Sequence, residues 1–310
     1  MQRYGDFLIQ TRLFDELCAN TALLLIQIKP IDTHQLSGTE KGLNQRKTAV
    51  FEAISEKTCI FAHMKHYEIA PDITAFSTER GCQDPTLPYD GFNITYYTDD
   101  DAQHIATCRQ MLCDVLGISN ERLILPRQVH HTEIAEVTEE NLSDKFDGID
   151  ALMTTLPQTC IGISTADCVP LLIYDTRVRA IAAAHAGWRG TVARIGRKTI
   201  ETMAERYDSK ASDLKVVIGP SIGPDAFEVG DEVYQAFSEA SFDMDKIAFK
   251  REKWHIDLWQ ANAIDLELAG VPHENIEIAG ICTYEQHQDF FSARRLGIKS
   301  GRIYTGIMIK

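Results

Sequence analysis

The chain has 310 residues, 44% of them hydrophobic, and a formal net charge of −14. This length allows one large or two small domains with a sizeable core, whereas the negative charge argues against non-specific nucleic-acid binding and against an anionic membrane surface. Eight cysteines without a Cys-x-x-Cys pair or a secretory signal indicate reduced thiols and a cytoplasmic location, and the longest N-terminal apolar run, Ala22 to Ile28, is too short to span a bilayer.

Residues 1–63 differ from the remainder of the chain. The stretch from Asp32 to Arg46 is polar, the apolar segments that flank it are short, and none of it matches a motif. We therefore expect an N-terminal extension of unassigned role over residues 1–63. Two interpretations stay open, a true appendage and a segment that lies upstream of a biological start at Met64.

The next region predicts one strand and one helix. Phe92 to Tyr97 alternates as a strand would. Asp99 to Asp101 offers N-capping carboxylates for a helix whose apolar residues run from Ile105 to Leu116, and Gly117 is suited to end it.

Two consecutive histidines lie in a second alternating stretch that begins at Gln128. The alternation places His130 with Thr132 and Ile134 on one face of a predicted strand, and His131 on the other. Only one of the two histidines can therefore face an apolar interior.

The most structured pattern runs from residue 160 to residue 207. Three apolar runs bounded by Gly, Pro and Asp predict buried strands at Cys160–Ser164, Leu171–Tyr174 and Arg179–Ala184. Cys168 and His185 therefore lie at or near strand ends, where polar side chains can converge.

A helix is predicted to follow His185. Thr191 is a suitable N-cap, and the apolar residues from Val192 to Met203 recur at helical spacing. The first turn of such a helix would direct free N–H groups and the positive end of its dipole towards His185 and Arg189, as in many anion sites.

Five motifs in order carry a family resemblance. They are Gln128-Val-His130, Ala166-Asp-Cys168-Val-Pro170, His185-Ala-Gly-Trp-Arg-Gly190, Ile218-Gly-Pro-Ser-Ile-Gly-Pro224 and Phe290-Phe-Ser-Ala-Arg-Arg295. They resemble a family first described as multicopper polyphenol oxidase (laccase-like) and now understood as zinc-dependent purine nucleoside phosphorylases with adenosine deaminase and methylthioadenosine phosphorylase activity. The resemblance covers roughly Tyr67 to the C-terminus. It implies an α+β fold of mixed β-sheets flanked by helices, a layered sandwich, with residues 64–310 as a single catalytic domain.

The resemblance also implies a Zn²⁺ site made of His130, Cys168 and His185. A catalytic zinc typically has three protein ligands and leaves a fourth position to water. The residues alone favour a buried thiol and two hydrogen-bonded histidines, and only their place in the matched motifs favours a metal. His131 stands where the family usually has glycine, which adds bulk and a spare ligand beside the site.

The same resemblance implies purine nucleosides and inorganic phosphate as substrates. Arg189 and Arg295, with Arg80 as a weaker third, are the candidates for phosphate, because the guanidinium fork binds two oxygens at once. Arg80 and Asn93 are also candidates for the substrate pocket. Asp167 is expected to orient an imidazole or to act in proton transfer. The alternatives are a salt bridge for Arg189, surface roles for Arg80 and Arg295, a satisfied strand amide for Asn93 and a turn cap for Asp167.

Other functions remain open at this point. A copper-dependent polyphenol oxidase fits two histidines and one cysteine, but the chain has no His-x-His pair for a coupled copper cluster. A thiol hydrolase would use Cys168 with His185 and need no metal. Gly219 to Gly223 matches the Gly-x-Ser-x-Gly elbow around Ser221, but prolines bracket that serine where a helix should begin. Because the chain lacks a His-x-His pair, zinc is expected rather than copper.

Overall fold

The computed structural model describes residues 64–310, so the predictions for residues 1–63 lie outside the described residues. The strands within this range are β1 (Met64–Tyr67), β2 (Ile73–Thr78), β3 (Leu123–Ile124), β4 (Ile134–Glu136), β5 (Ala151–Thr154), β6 (Cys160–Thr165), β7 (Val169–Asp175), β8 (Ala180–Ala186), β9 (Leu214–Ile218), β10 (Glu228–Val229), β11 (Ala248–Lys250), β12 (Trp254–Ile256), β13 (Ile276–Ile278) and β14 (Ile303–Ile309). The α-helices are α1 (Ala102–Leu116), α2 (Trp188–Val192), α3 (Ile195–Tyr207), α4 (Asp231–Glu239), α5 (Met244–Ile247), α6 (Leu258–Leu268) and α7 (Ala293–Leu296).

The larger sheet has six strands in the order β13-β9-β7-β8-β5-β4. Its neighbours are antiparallel except for the two outermost pairs, β13 with β9 and β4 with β5. Every residue of β7 and β8 is buried, because both faces of the sheet are covered. Uninterrupted apolar runs are typical of such strands, and the three strands predicted between residues 160 and 184 are confirmed.

A five-stranded sheet in the order β1-β2-β14-β6-β3 packs against one face of the larger sheet. Ile161, Ile163 and Ile307 from the smaller sheet share one core cluster with Leu172 and Ile181 from the larger one. Every second residue of each strand contributes to this interface, since alternate side chains of a strand point to the same face of its sheet. A short third sheet, β10-β12-β11, completes the sheet structure of the described residues.

Helices cover the outer faces of both sheets. Helix α1 packs on the five-stranded sheet through Cys108 and Leu112, and it begins and ends as predicted, with the Asp101 side chain accepting from the His104 N–H and Gly117 at φ 70°. Helices α3 and α6 cover the six-stranded sheet. The layers are therefore helix, sheet, sheet and helix, which confirms the expected α+β layered sandwich. None of the helices from residue 64 onwards combines the length and apolar character needed to cross a membrane.

Three local predictions are wrong. The segment Phe92 to Tyr97 is a loop, because its polar side chains bond within the loop instead of joining a sheet. His130 precedes β4 and adopts φ 64°, which no strand residue has. Thr191 caps no helix, since α2 begins after Gly187 and the left-handed Arg194 (φ 62°) separates it from α3. The long helix that was expected to begin beside His185 is therefore divided. The five-residue α2 lies next to His185, and the longer α3 begins only at Ile195.

Candidate metal centre and substrate site

Three side chains from distant parts of the sequence meet at one end of the sandwich. His130 lies in the loop before β4, Cys168 in the short crossover from β6 of one sheet to β7 of the other, and His185 near the end of β8. Their candidate ligand atoms all lie within 4.8 Å of one another. The centroids of the two imidazole rings are 4.7 Å apart, and the ring planes meet at 76°.

The strand register explains the approach of Cys168 to this point. Val169 of β7 pairs with Ala186 of β8, so Cys168 lies beside Gly187. A Cβ atom at Gly187 would lie 3.0 Å from the Cys168 Sγ and 3.2 Å from the His130 Cδ2. A glycine at this position is therefore what leaves room for the three ligands.

Asp150 is the residue that holds two of the candidate ligands in place, and sequence reasoning missed it. It is fully buried, and its Oδ1 accepts from the His185 Nδ1 at 2.8 Å. The same carboxylate accepts the backbone N–H groups of Val129 (3.2 Å), His130 (2.9 Å) and His131 (2.9 Å). These bonds stabilise the left-handed backbone of His130 and leave the other ring nitrogen of His185 for the site, as in carboxylate–histidine–metal arrangements.

The electrostatics of the group favour a thiolate. Burial raises the pKa of the Cys168 thiol, but the charge of His185 and hydrogen bonds from both imidazoles outweigh it, so the pKa falls below its usual range. Burial also lowers the pKa of His185, and its interactions with Cys168 and Asp150 reverse that effect and raise it. A thiolate is the form of cysteine that binds metals and acts as a nucleophile.

Asp167 does not contact either imidazole by a hydrogen bond. It adopts φ 88°, and its carboxylate accepts from the Thr283 hydroxyl (2.7 Å) and the Arg294 backbone N–H (2.6 Å). Its carbonyl accepts the Ile222 N–H at 2.9 Å. Asp150 therefore orients the imidazole, the role that the sequence analysis expected of Asp167. Asp167 ties two loops and the first turn of α7 to the crossover.

Arg80 and Asn93 hold a loop together instead of facing a pocket. The fully buried Arg80 donates to the carbonyl oxygens of four residues and lies 4.8 Å over the Phe291 ring. Those residues are Pro85, Leu87, Asp90 and His287. The buried Asn93 donates to Thr98 and Asp100 and accepts the N–H groups of Thr95 and Arg302. Neither the substrate role nor the solvated-turn alternative for Arg80 fits this arrangement, because its donors face protein carbonyl groups.

Arg189 and Arg295 are both exposed. The Arg189 guanidinium lies 4.2 Å over the ring of Trp188 in α2, which begins three residues after the candidate ligand His185. Arg295 lies 5.2 Å over the Tyr284 ring and donates to the Tyr284 hydroxyl. Neither forms an ion pair with a carboxylate of the described residues. Both guanidinium groups can therefore accept an anionic ligand.

Comparison with known proteins identifies the relatives of this chain. Residues 74–310 match the family model described as multi-copper polyphenol oxidoreductase laccase. The chain belongs to this family. It is 45% identical over 250 residues to a purine nucleoside phosphorylase of Bacteroides thetaiotaomicron, which covers 77% of this chain and 92% of that protein. It is 42% identical over 248 residues to the adenosine deaminase RL5 of an unknown prokaryotic organism, across 77% of this chain and 94% of that protein.

Solved structures share the fold of this laccase-family chain. The hypothetical protein YfiH of Bacillus licheniformis superposes with a TM-score of 0.75 at 28% identity, over 80% of this chain and 97% of that one. YlmD of Geobacillus stearothermophilus gives a TM-score of 0.73 at 27% identity, over 79% of this chain and 94% of that one.

The laccase label of the family describes a chemistry that needs several copper ions. From residue 64 to the C-terminus, three or more potential ligand side chains come together at one place, the His130–Cys168–His185 group. Two imidazoles and one thiolate suit zinc with an open position, and also a mononuclear copper site. The described residues of this laccase-family member therefore offer one metal position, and the names of its relatives point to purine nucleosides.

Proposed function

We propose that the protein is a zinc-dependent purine nucleoside phosphorylase, which converts a nucleoside and phosphate into the free base and ribose 1-phosphate. Adenosine deaminase and methylthioadenosine phosphorylase activities are proposed for the same site. The observation that carries the proposal is the His130–Cys168–His185 group with Asp150 behind it. The names of two relatives at 45% and 42% identity support the phosphorolysis and the deamination.

Zinc fits the donor set better than the hard ions Mg²⁺ and Ca²⁺ do. Two imidazoles and a thiolate are borderline to soft ligands, which disfavours Mg²⁺ and Ca²⁺, and three protein ligands are typical of a catalytic zinc. When bound, the ion would supply Lewis-acid character and make water acidic enough to react near neutral pH. The cysteines among residues 64–310 form no disulfide, and reduced thiols are typical of cytoplasmic proteins, which supports the cytoplasmic location expected from the sequence.

The protein side chains supply orientation in this scheme. Asp150 accepts from the His185 Nδ1 and fixes the ring, and it holds the His130 loop through backbone N–H groups. Positioned ligands lower the cost of reorganisation at the moment of reaction. Arg189 and Arg295 stay candidates for phosphate, since each presents an exposed guanidinium without a carboxylate partner.

The deciding experiment incubates purified protein with adenosine, with and without phosphate, and separates the products by chromatography. We expect inosine without phosphate, and adenine or hypoxanthine with ribose 1-phosphate when phosphate is present. A protein that forms neither free base nor inosine would contradict the proposal. Metal analysis of the same preparation tests zinc against copper.

A thiol hydrolase is the second candidate, because the Asp150 carboxylate, the His185 imidazole and the Cys168 thiol form a chain of contacts. In that case Cys168 would attack an acyl group without metal. Alkylation of Cys168 by iodoacetamide separates the two functions. Protection of the thiol by added zinc supports the metal site, whereas a trapped acyl-thiol supports the hydrolase.

A further inference from the structure

The side chain of Gln128 pairs with the backbone of β6 as a strand residue would. Its Oε1 accepts the Ser164 N–H at 2.8 Å, and its Nε2 donates to the Ser164 carbonyl oxygen at 2.8 Å. A side-chain amide carries the same kinds of donor and acceptor as a peptide group, so it can complete both backbone groups of one residue. Ser164 is buried, and both of its groups therefore need such a partner.

The Gln128–Ser164 pair fills a gap at one edge of the five-stranded sheet. Strand β3 lies beside β6 at this edge, but its two residues pair only with Cys160 and Ile161. Among residues 64–310, no strand lies next to Ser164 on that side, so the Gln128 amide stands where further residues of β3 would. Gln128 is therefore fixed to the end of β6, although it lies in a loop.

Both members of this pair are close in sequence to a candidate ligand. Gln128 lies two residues before His130, and Ser164 lies four residues before Cys168. The two hydrogen bonds therefore join the backbone that carries His130 to the backbone that carries Cys168.

Different contacts join the other two pairs of ligands. Asp150 accepts from the His185 Nδ1 and from the His130 N–H, and so connects the two histidines. The pairing of β7 with β8 connects Cys168 to His185. With the link from His130 to Cys168 that Gln128 supplies, each of the three ligands is held relative to both of the others.

The loop that was expected to be a strand supports the Gln128–Ser164 pair. The Tyr97 hydroxyl donates to the Gln128 Oε1 at 3.1 Å, and the Thr95 and Ser164 hydroxyl oxygens are 2.6 Å apart. The Gln128 Oε1 thus accepts two hydrogen bonds and its Nε2 donates one, which fixes the orientation of the amide. These bonds restrict the rotation of the side chain and restrain the loop that leads to His130.

We propose that Gln128 is a positioning residue of the metal site, which sets the distance between His130 and Cys168 before the ion binds. This inference rests on the metal site of the proposed function, and it applies to phosphorolysis and deamination alike. His130 is exposed and lies in a loop, so without the Gln128–Ser164 pair its place would depend mainly on Asp150. A less ordered ligand must lose more conformational entropy when the ion binds, which lowers the metal affinity.

The test measures the zinc affinity of the full-length protein by competition with a chelator of known affinity. Gln128→Met keeps the length of the side chain and removes both hydrogen bonds to Ser164, and we expect the zinc Kd to rise by about 10-fold or more. In the Co²⁺-substituted protein we expect altered visible absorption bands, since these bands report the coordination geometry of the ion. A residue that only stabilised the fold would leave both readouts unchanged.

Thr154→Val is the matched control. The Thr154 hydroxyl donates to the Val137 carbonyl oxygen at 2.7 Å and accepts the Leu156 N–H at 3.1 Å, so valine also leaves one carbonyl and one N–H group without a partner. Thr154 is the last residue of β5, and Asp150 precedes the first, so these bonds lie at the opposite end of the strand. We expect the Tm of both variants to fall by a similar amount, about 2–8 °C, and the zinc Kd of Thr154→Val to stay within about 2-fold of wild type.

The outcomes separate this inference from the proposed function. If the wild-type protein binds zinc and Gln128→Met keeps its Kd and its Co²⁺ spectrum, the positioning role is wrong and the metal site stands. Equal losses of zinc affinity in Gln128→Met and Thr154→Val would also overturn the positioning role, because they would reflect stability alone. If the wild-type protein binds no zinc, the metal site itself fails, and this inference fails with it.

A shorter amide serves if Gln128→Met does not fold. Gln128→Asn keeps the amide group but is one methylene too short to reach both backbone groups of Ser164 from the same loop. We expect its zinc Kd to rise in the same direction. Wild-type affinity in this variant would overturn the positioning role.

Discussion

The ligand group (His130, Cys168 and His185) and the loop around Arg80 both bring polar side chains together, and they satisfy them differently. Arg80 is fully buried, whereas in the ligand group His185 is buried, Cys168 is partly buried and His130 is exposed. Around Arg80, the guanidinium donors face carbonyl oxygens of the protein. In the ligand group, one thiol and two imidazoles face one another, and Asp150 accepts from only one ring nitrogen. Polar groups whose hydrogen bonds are completed within the protein hold the fold together, whereas converging donor atoms that the protein leaves without such partners mark the place of a ligand.

The strongest way to break this comparison is to remove a ligand. We expect Cys168→Ala to lower the zinc content by about one equivalent and to reduce both phosphorolysis and deamination by about 10³-fold or more, because two imidazoles alone bind the ion weakly. Elemental analysis and product chromatography measure the two effects. Cys113→Ala is the control, since this buried thiol of α1 lies in the core far from the ligand group in sequence, and its loss should cost only ~1 kcal/mol of stability. Full zinc occupancy in Cys168→Ala would refute the ligand assignment.

The second largest effect should appear in the Arg80 loop and should concern stability alone. Arg80→Met leaves carbonyl oxygens of Pro85, Leu87 and Asp90 without their donor, so we expect the free energy of unfolding to fall by about 3 kcal/mol. That loss corresponds to a drop in Tm of about 6–12 °C for a domain of this size. Calorimetry measures the shift, and zinc content per folded molecule should not change. A variant of normal stability with a raised KM would return Arg80 to the substrate pocket.

A smaller effect is expected at Asp150, whose hydrogen bonds join the ligand group to the surrounding backbone. Asp150→Asn keeps the size of the side chain but replaces one acceptor oxygen with a donor, which disturbs the His185 ring and the N–H groups of the His130 loop. Second-sphere carboxylates of this kind typically change metal affinity by about 10–100-fold. Competition with a chelator of known affinity gives the zinc Kd. An unchanged Kd would show that Asp150 supports the loop only.

The smallest effect sharpens the comparison by crowding the ligands without removing any. Gly187 has φ −61°, so alanine fits its backbone, but the new methyl would lie 3.0 Å from the Cys168 Sγ. We expect Gly187→Ala to weaken zinc binding by about 3–10-fold with little change in folding stability. Gly117→Ala is the reverse control. Its φ of 70° disfavours alanine, while an added methyl touches nothing, so it should cost ~1 kcal/mol and leave zinc affinity intact.

The sequence allowed prediction of elements whose signals are local. Strands β6 to β8 follow from apolar runs, and α1 follows from Asp101 and Gly117 at its two ends. The ligand group was predictable only through the family motifs, because its three members meet through sheet pairing between distant segments. Asp150 could not be found in this way, since its role depends on the loop that folds back over it.

Two wrong predictions have the same physical origin. The alternation from Phe92 to Tyr97 and the spacing from Thr191 to Met203 are valid local patterns, but backbone geometry at single residues overrides them. Arg194 in the left-handed region ends the predicted helix pattern. The Asn93 side chain forms hydrogen bonds with Asp100 and with the Thr95 N–H, and these bonds favour a loop over a strand. The surroundings of Arg80 could not be predicted for a related reason, because the burial of an arginine can be recognised only once the carbonyl groups around it are known.

The crossover between the two sheets contains only residues 166–168 between β6 and β7. Cys168 belongs to the ligand group, while Asp167 fastens the loops that carry Ile222 and Thr283 and the first turn of α7 at Arg294. Because β6 and β7 fix both ends of this three-residue bridge, an inserted or deleted residue would displace both side chains from their present partners. The length of this connection is therefore as much a part of the chemistry as the identity of its residues.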